Sequence, residues 1–255
     1  MQLRCFVLAV LVSALGQAQA PAYTAADLVN ASDYSPGPFA PNSVLSIFGT
    51  NLSWYTQPYS SGQVAAQVPT NLSGVEVFVN NWPAPLLYVS PSQINFLIPS
   101  SAIAGTAAIH VVREGVTGPY VDVQLVSAAP ALFDGSSGFA IATHADGTLL
   151  TDSSPAQPGE IVVVYVTGLG VTDPNPEAGE IPLSAAPLAA PGALNVALNG
   201  DALPFSSIEY AGLTPGCVGL YQLNIQLPQD VPSDPVIQVS MGTETSSGNP
   251  RIAVQ

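Results

Sequence analysis

Pro158-Gly-Glu-Ile-Val-Val-Val-Tyr-Val-Thr-Gly-Leu169 restates, in altered form, an earlier stretch of the same chain, Pro41-Asn-Ser-Val-Leu-Ser-Ile-Phe-Gly-Thr-Asn-Leu52. Each opens on proline, runs through an apolar segment of strand length, and closes on Thr-Gly-Leu or Thr-Asn-Leu. Outward from these anchors the correspondence continues. Gln93-Ile-Asn-Phe-Leu-Ile-Pro99 returns as Gln222-Leu-Asn-Ile-Gln-Leu-Pro228, and Val75-Glu-Val-Phe-Val-Asn-Asn81 as Leu194-Asn-Val-Ala-Leu-Asn-Gly200. A repeat spacing of roughly a hundred residues is too long for a solenoid unit and fits a whole small domain. The expected organisation is a leader over residues 1–20, one domain over 21–127 and its copy over 128–255, joined near Ala128-Ala-Pro130.

The repeated segments read as strands. Val75, Val77 and Val79 alternate with Glu76 and Phe78, and Leu194, Val196 and Leu198 alternate with Asn195 and Ala197, the period of a half-buried strand. Asn199-Gly200 suits a type I′ hairpin turn, whose two central residues take positive φ, and Asn80-Asn81 is its counterpart. Residues 107–112 and 236–241 add a strand to each copy, and the continuous apolar run 161–166 reads as a centrally buried strand. No stretch sustains a 3.6-residue period with caps. The fold class expected is all-β: two tandem immunoglobulin-like β-sandwich domains following a cleaved signal peptide.

Composition narrows the function. The chain of 255 residues is only 8% charged, carries a formal charge of −14, and has Arg4, Arg113 and Arg251 as its only cations. No basic stripe can be assembled to displace counterions from phosphate, which excludes nucleic acid and attraction to an anionic membrane surface. Arg4, an apolar stretch over residues 6–15 and the small residues Gly16, Ala18 and Ala20 form a secretory leader, with cleavage after Ala18 or Ala20. The apolar stretch is shorter than the ~20 residues of a spanning helix, so no membrane span is expected in the mature chain. Cys5 lies in that leader and Cys217 is left unpaired, so no intramolecular disulfide forms; Cys217 reads as a small buried hydrophobe. These features place the protein outside the cell or on its surface.

Several motifs in chain order carry a family resemblance: Val29-Asn-Ala-Ser32, Ser46-Ile-Phe-Gly-Thr-Asn-Leu52, Pro83-Ala-Pro-Leu-Leu-Tyr-Val-Ser-Pro-Ser-Gln-Ile-Asn-Phe96, Pro130-Ala-Leu-Phe133, Pro158-Gly-Glu160, Thr167-Gly-Leu-Gly170, Ala211-Gly-Leu-Thr-Pro-Gly216 and Val218-Gly-Leu-Tyr-Gln-Leu-Asn224. Together they resemble an uncharacterised family of secreted acidobacterial proteins, defined by a C-terminal domain abundant in Solibacter proteins. The repeats are also similar to IPT/TIG immunoglobulin-like domains. The resemblance implies tandem immunoglobulin-like sandwiches and brings no catalytic residues with it.

Two loops occupy equivalent places in the copies yet differ sharply, residues 53–67 and 171–191. The first carries Trp54, Tyr55 and Tyr59, and Trp82 follows the first-copy hairpin; exposed aromatic faces on a secreted sandwich can stack on sugar rings. The second holds Asp173, Asn175, Glu177 and Glu180, whose hard oxygen donors suit calcium, although the intervening prolines restrict wrapping and a solvated acidic loop is the plainer reading. Catalysis finds little support. His110 falls in a strand, His144-Ala-Asp146 lacks the further His or Cys that would complete a metal site, and no Gly-x-Ser-x-Gly elbow occurs. Glu160 and Glu209 flank strands, where turn or surface roles are expected. The function expected is a non-enzymatic exported module contacting a protein or glycan through its sandwich-end loops. A carbohydrate-binding protein using the aromatic loop stands as one alternative, and a hydrolase whose site is hidden in the sequence as another.

Overall fold

The computed structural model describes residues 19–60, 67–135 and 138–255. The expected leader falls outside these residues except for Gln19 and Ala20. The chain is all-β, with three short 3₁₀ turns as its only helical elements among the described residues. In the first sandwich one sheet has the order Leu28–Asn30, Val44–Phe48, Gln93–Leu97, Leu86–Val89, Gln57–Pro58. Its partner sheet runs Val121–Leu125, Gly105–Arg113, Val75–Val79, Trp82–Ala84. The second sandwich repeats the plan: Ala131–Leu132, Ile161–Thr167, Tyr221–Gln226, Ile208–Leu213, Ala186–Pro187 face Asp201–Ala202, Leu194–Leu198, Ile237–Met241, Glu244–Thr245.

The repeat is physical as well as textual. Asn51 and Gly168, aligned before the closing leucines, both take left-handed backbone, φ 58° and φ 75°, and Leu52 and Leu169 both point into a core. Only glycine and, less readily, asparagine adopt that conformation cheaply, which is why Thr-Asn-Leu can stand for Thr-Gly-Leu. The Gln-x-Asn motif also has one job in each copy. The Gln93 side-chain amide donates to Asn95 Oδ1 at 2.9 Å, and that of Gln222 to Asn224 Oδ1 at 3.0 Å. Residues two apart share a strand face, so each pair satisfies itself on the outer surface of its sheet.

The hairpin asparagines agree as well. The Asn80 side chain accepts from the Ala108 amide at 3.0 Å, and Asn199 from the Val236 amide at 2.8 Å. Asn199 and Gly200 both have positive φ, as a type I′ turn requires. In the first copy only Asn80 does so, and the turn at Asn80-Asn81 is therefore of another type.

Each sandwich has its own core: one cluster runs from Tyr23 to Leu125, the other from Leu132 to Val254. The run 161–166 departs from expectation. The strand Ile161–Thr167 is central, lying between Ala131–Leu132 with Ala142–His144 on one side and Tyr221–Gln226 on the other. Yet only Val162, Val164 and Val166 are fully buried along its apolar run, while Ile161, Val163 and Tyr165 are half-buried on the outer face. An antiparallel sheet with one face toward the core explains the difference, because full burial on both faces belongs to sheets covered by helices.

The sandwiches meet through backbone brought close by glycine. A Cβ on Gly219 would stand 2.4 Å from Leu97 Cδ1 and 2.8 Å from Val44 Cγ2 of the first sandwich. The two divergent loops also touch: the Val68 amide donates to the Gly179 carbonyl at 2.8 Å, and the Gln67 side chain to the Ala178 carbonyl at 3.0 Å. Much of the acidic loop thus belongs to the joint.

Candidate functional site

Alternation along Gly105–Arg113 points Ala107, Ile109, Val111 and finally Arg113 inward. Arg113 therefore ends in the mouth of the first sandwich, 1% exposed. Its guanidinium donates at 2.5 Å to the carbonyls of Asn51 and Gln19, and among the described residues Nε has no partner. No carboxylate is bonded to it; instead the Trp54 ring covers it, with the guanidinium carbon 3.9 Å from the ring centroid. At that range the quadrupole of the indole face holds a cation. The indole edge is fixed too, since Nε1–H donates to the Glu114 carboxylate at 3.0 Å.

Trp54 is thereby held at one face and one edge while remaining 47% exposed, and its neighbour Tyr55 is 65% exposed. The Tyr55 amide is anchored on the buried Ser53 hydroxyl at 3.1 Å. The result is a preset aromatic shelf at the end of the sandwich, its free face turned to solvent. Fixing the ring beforehand removes most of the rotamer entropy that a ligand would otherwise have to overcome.

The other aromatic candidates lie elsewhere. Trp82 is 65% exposed but pairs with Val79, whereas Arg113 pairs with Val75. Those register positions are four residues apart along one strand, about 13 Å. Tyr59 belongs to the opposite sheet and lines a cavity of about 440 Å³ between the sandwiches, with Asn95, Ile181, Cys217 and Leu220 among its walls. Among the described residues the Tyr59 hydroxyl is buried without a partner, and burial pushes the Cys217 thiol above its usual range. Only Trp54 and Tyr55 of the four form a contiguous shelf.

In the acidic loop, the Glu180 carboxylate accepts from the Glu177 amide at 2.9 Å and Asn175 Oδ1 lies 3.5 Å from the Asn42 side-chain amide. Asp173 bonds through its amide to Pro187 at 2.8 Å. Among the described residues no three His, Cys, Asp or Glu side chains come together as a metal-holding group.

The two histidines have opposite environments. His110 is stacked between Phe78, at 5.0 Å between ring centroids, and Tyr120, at 4.2 Å. Burial lowers its pKa from the usual 6.5. His144, which the sequence placed beside a turn, is gripped by Glu160: Nδ1 lies 2.5 Å from Oε1, and the other carboxylate oxygen accepts from the Gln157 amide at 2.8 Å. That bond raises the His144 pKa above 6.5.

Ser154 Oγ stands 3.2 Å from His144 Nε2, so serine, imidazole and carboxylate lie in the order of a nucleophile, base and orienter. The Ser154 carbonyl, however, is equally 3.2 Å from Nε2, and a carbonyl only accepts. An imidazolium donating from both nitrogens satisfies every contact, and in that state no lone pair is left to take a serine proton. The Ser154 amide is also already given to the Thr151 carbonyl at 2.9 Å. The arrangement is a clamp tying the residue 142–154 arm to the strand that follows.

These environments predict opposite pH responses. As pH falls through 6.5 the unfolded chain protonates its residue-110 imidazole before the folded chain does, so the first sandwich loses stability. At residue 144 the folded chain takes the proton first, so the second sandwich gains stability, and that gain is lost as pH rises through the folded pKa. Both tryptophans lie in the first sandwich, so indole fluorescence reports it alone. Between about pH 8 and about pH 5.5 its melting midpoint should fall, less so in His110→Phe. The circular-dichroism transition that the indole signal does not follow should rise, and not in His144→Gln; movement of both in one direction would contradict the assignment.

No curated protein matches the chain. Among solved structures it is similar to a surface glycan-binding protein from Prevotella bryantii, at 13% identity and TM-score 0.28 over 92% of this chain and 42% of that one. It is also similar to a glycan-binding protein of the Bacteroides ovatus mixed-linkage glucan utilisation locus, solved with a heptasaccharide, at 10% identity and TM-score 0.34 over 85% and 43%. The extracellular region of plexin A4 is matched at 11% identity and TM-score 0.25 over 83% and 16%. The chain spans less than half the length of each, and likeness at this level carries no argument about function. The family comparison covers the first sandwich: residues 31–128, fewer than half of the chain, match the IPT/TIG domain, in keeping with the immunoglobulin-like fold.

Proposed function

We propose that the protein is a non-enzymatic, exported contact module, in which the second sandwich braces the first and the Trp54–Tyr55 shelf meets the partner. The observation that carries this reading is the fixed indole, floored by a buried guanidinium and pinned at its edge by Glu114. A large exposed aromatic held in place is the side chain from which binding hot spots are built. The leader-like N-terminus supports export, and the resemblance of the chain's motifs to a secreted acidobacterial family agrees with it. The clamp at His144 and the sandwiched ring of His110 leave neither imidazole as a free base beside a nucleophile, which supports a binding role over hydrolysis.

The geometry also favours a carbohydrate partner as a second reading. A sugar presents an apolar C–H face to an indole and hydroxyls to its surroundings, and Glu114 stands at the ring edge to accept from them. Titration of the exported chain with soluble plant and bacterial polysaccharides, followed by isothermal titration calorimetry, tests it. Binding should weaken at least about tenfold in Trp54→Ala, a loss of about 1.4 kcal/mol, and stay unchanged in Trp82→Ala. Equal weakening in both variants would remove the shelf from the account. Recovery of a saturable protein partner from the cell envelope, sensitive to Trp54→Ala, would assign the shelf to protein contact instead.

A further inference from the structure

The segment Gln19–Tyr23 is built into the sandwich. Ala22 exchanges both backbone hydrogen bonds with Thr50 of one sheet at 2.9 Å. The next side chain reaches the other sheet: the Tyr23 hydroxyl donates to the Pro119 carbonyl at 2.7 Å and accepts from the Val111 amide at 2.8 Å. Burial pushes that phenol up to about 12. Pro21 is buried between these contacts, whereas Gln19 and Ala20 are exposed. Beyond Pro21 the carbonyl of Gln19 accepts one arm of the buried Arg113 guanidinium, and the Asn51 side-chain amide lies 3.4 Å from Gln19 Oε1.

The sequence leaves two cleavage points open, after Ala18 and after Ala20. Three features separate them. The Ala20–Pro21 bond is a tertiary amide, whose fixed ring and missing N–H make it a poor fit to an extended substrate cleft. A terminal ammonium created at Pro21 would sit on a buried residue, where losing water penalises the charge. A cut there would also carry away the Gln19 carbonyl and leave a guanidinium N–H of Arg113 unpaired inside the mouth. A cut after Ala18 places the new ammonium on exposed Gln19 and keeps the carbonyl.

Resting on the export reading above, we propose that the exported chain begins at Gln19, released by a leader peptidase and held in place by Arg113. In that hydrolysis the Ala18–Gln19 amide bond breaks; water gives its hydroxyl to the Ala18 carbonyl carbon and a proton to the Gln19 nitrogen. The N-terminal residue then serves as part of the floor beneath the Trp54 shelf, its carbonyl retained on Arg113 through the cut.

Intact mass and N-terminal sequencing of the full chain, expressed in a secreting bacterium, test the cut. A start at Gln19, with or without ammonia lost by cyclisation of the terminal glutamine, supports the proposal. A start at Pro21 overturns it and leaves the export reading standing, whereas recovery of the chain with its leader intact and unexported overturns both. A second measurement tests the anchoring: fusion-released chains beginning at Gln19 and at Pro21 are melted side by side. The shorter should melt about 5 °C lower, and the difference should vanish when both carry Arg113→Met. Equal melting of the two unsubstituted chains would overturn the anchoring role.

Discussion

Gly168→Ala is expected to destabilise the protein by more than about 3 kcal/mol and to lower its melting temperature by roughly 10 °C. Two costs combine. With φ at 75°, the residue occupies left-handed backbone, which costs an L-side chain about 1–2 kcal/mol. The added Cβ would also stand 2.1 Å from the Ala129 carbonyl oxygen and 2.9 Å from its carbon. These are backbone atoms, and they cannot swing away as a side-chain tip can, because the Ala129 amide is itself bonded to the Gly168 carbonyl at 2.8 Å. Ser43 Oγ of the first sandwich, 3.0 Å from the same Cβ position, blocks retreat in that direction. Gly147→Ala is the control: its φ is 87°, but nothing lies within 4 Å of the added carbon. It should cost only the conformational term, about 1–2 kcal/mol. Thermal melts of the two variants separate strain from collision, and equal losses would show that the joint yields.

Gly168 also shows what a sequence makes legible. Its alignment with Asn51 can be read from Thr-Gly-Leu against Thr-Asn-Leu, because backbone demands restrict the residue type. Strand pairing and the hairpin asparagines are legible for a similar reason: alternation and turn chemistry are local, and the fold repeats them. The site is harder to read, because its contacts are distant in the chain. Arg113 meets a residue 94 positions away, and His144 meets Glu160 across 16.

A signal for the first was nonetheless present. The inward alternation Ala107, Ile109, Val111 continues to Arg113, which predicts a buried cation once the strand is extended by one residue. Nothing comparable announces that Gln67 and Glu180 would meet, since the joint depends on how two independent cores dock. The aromatic residues were legible as exposed candidates, but their grouping was not. Trp54 and Trp82 sit at opposite ends of one strand pair, and Tyr59 faces the other sandwich.

The buried guanidinium is where stability and function are expected to fail together. Methionine at position 113 keeps an unbranched apolar stem, so packing changes little and the charge with its donors is what disappears. Removing a buried charge that has no carboxylate partner can be neutral or even favourable, since the desolvation penalty goes with it. Here the balance falls the other way. Arg113→Met leaves the Asn51 carbonyl facing a hydrocarbon at about 1–3 kcal/mol, whereas the carbonyl of exposed Gln19 can turn to water, and it removes the cation beneath Trp54. A net loss of about 3 kcal/mol is therefore expected, together with a shift in indole emission as the ring leaves its floor. Arg113→Lys should fall between, because an ammonium lacks the planar fork that spans both carbonyls and the flat face on which the indole rests. Partner binding should drop in the order wild type, Lys, Met, tracking the emission shift rather than the melting temperature. An Arg113→Met protein as stable as wild type would show that desolvation dominates at this site. One that also kept its binding would mean that the shelf does not depend on its floor.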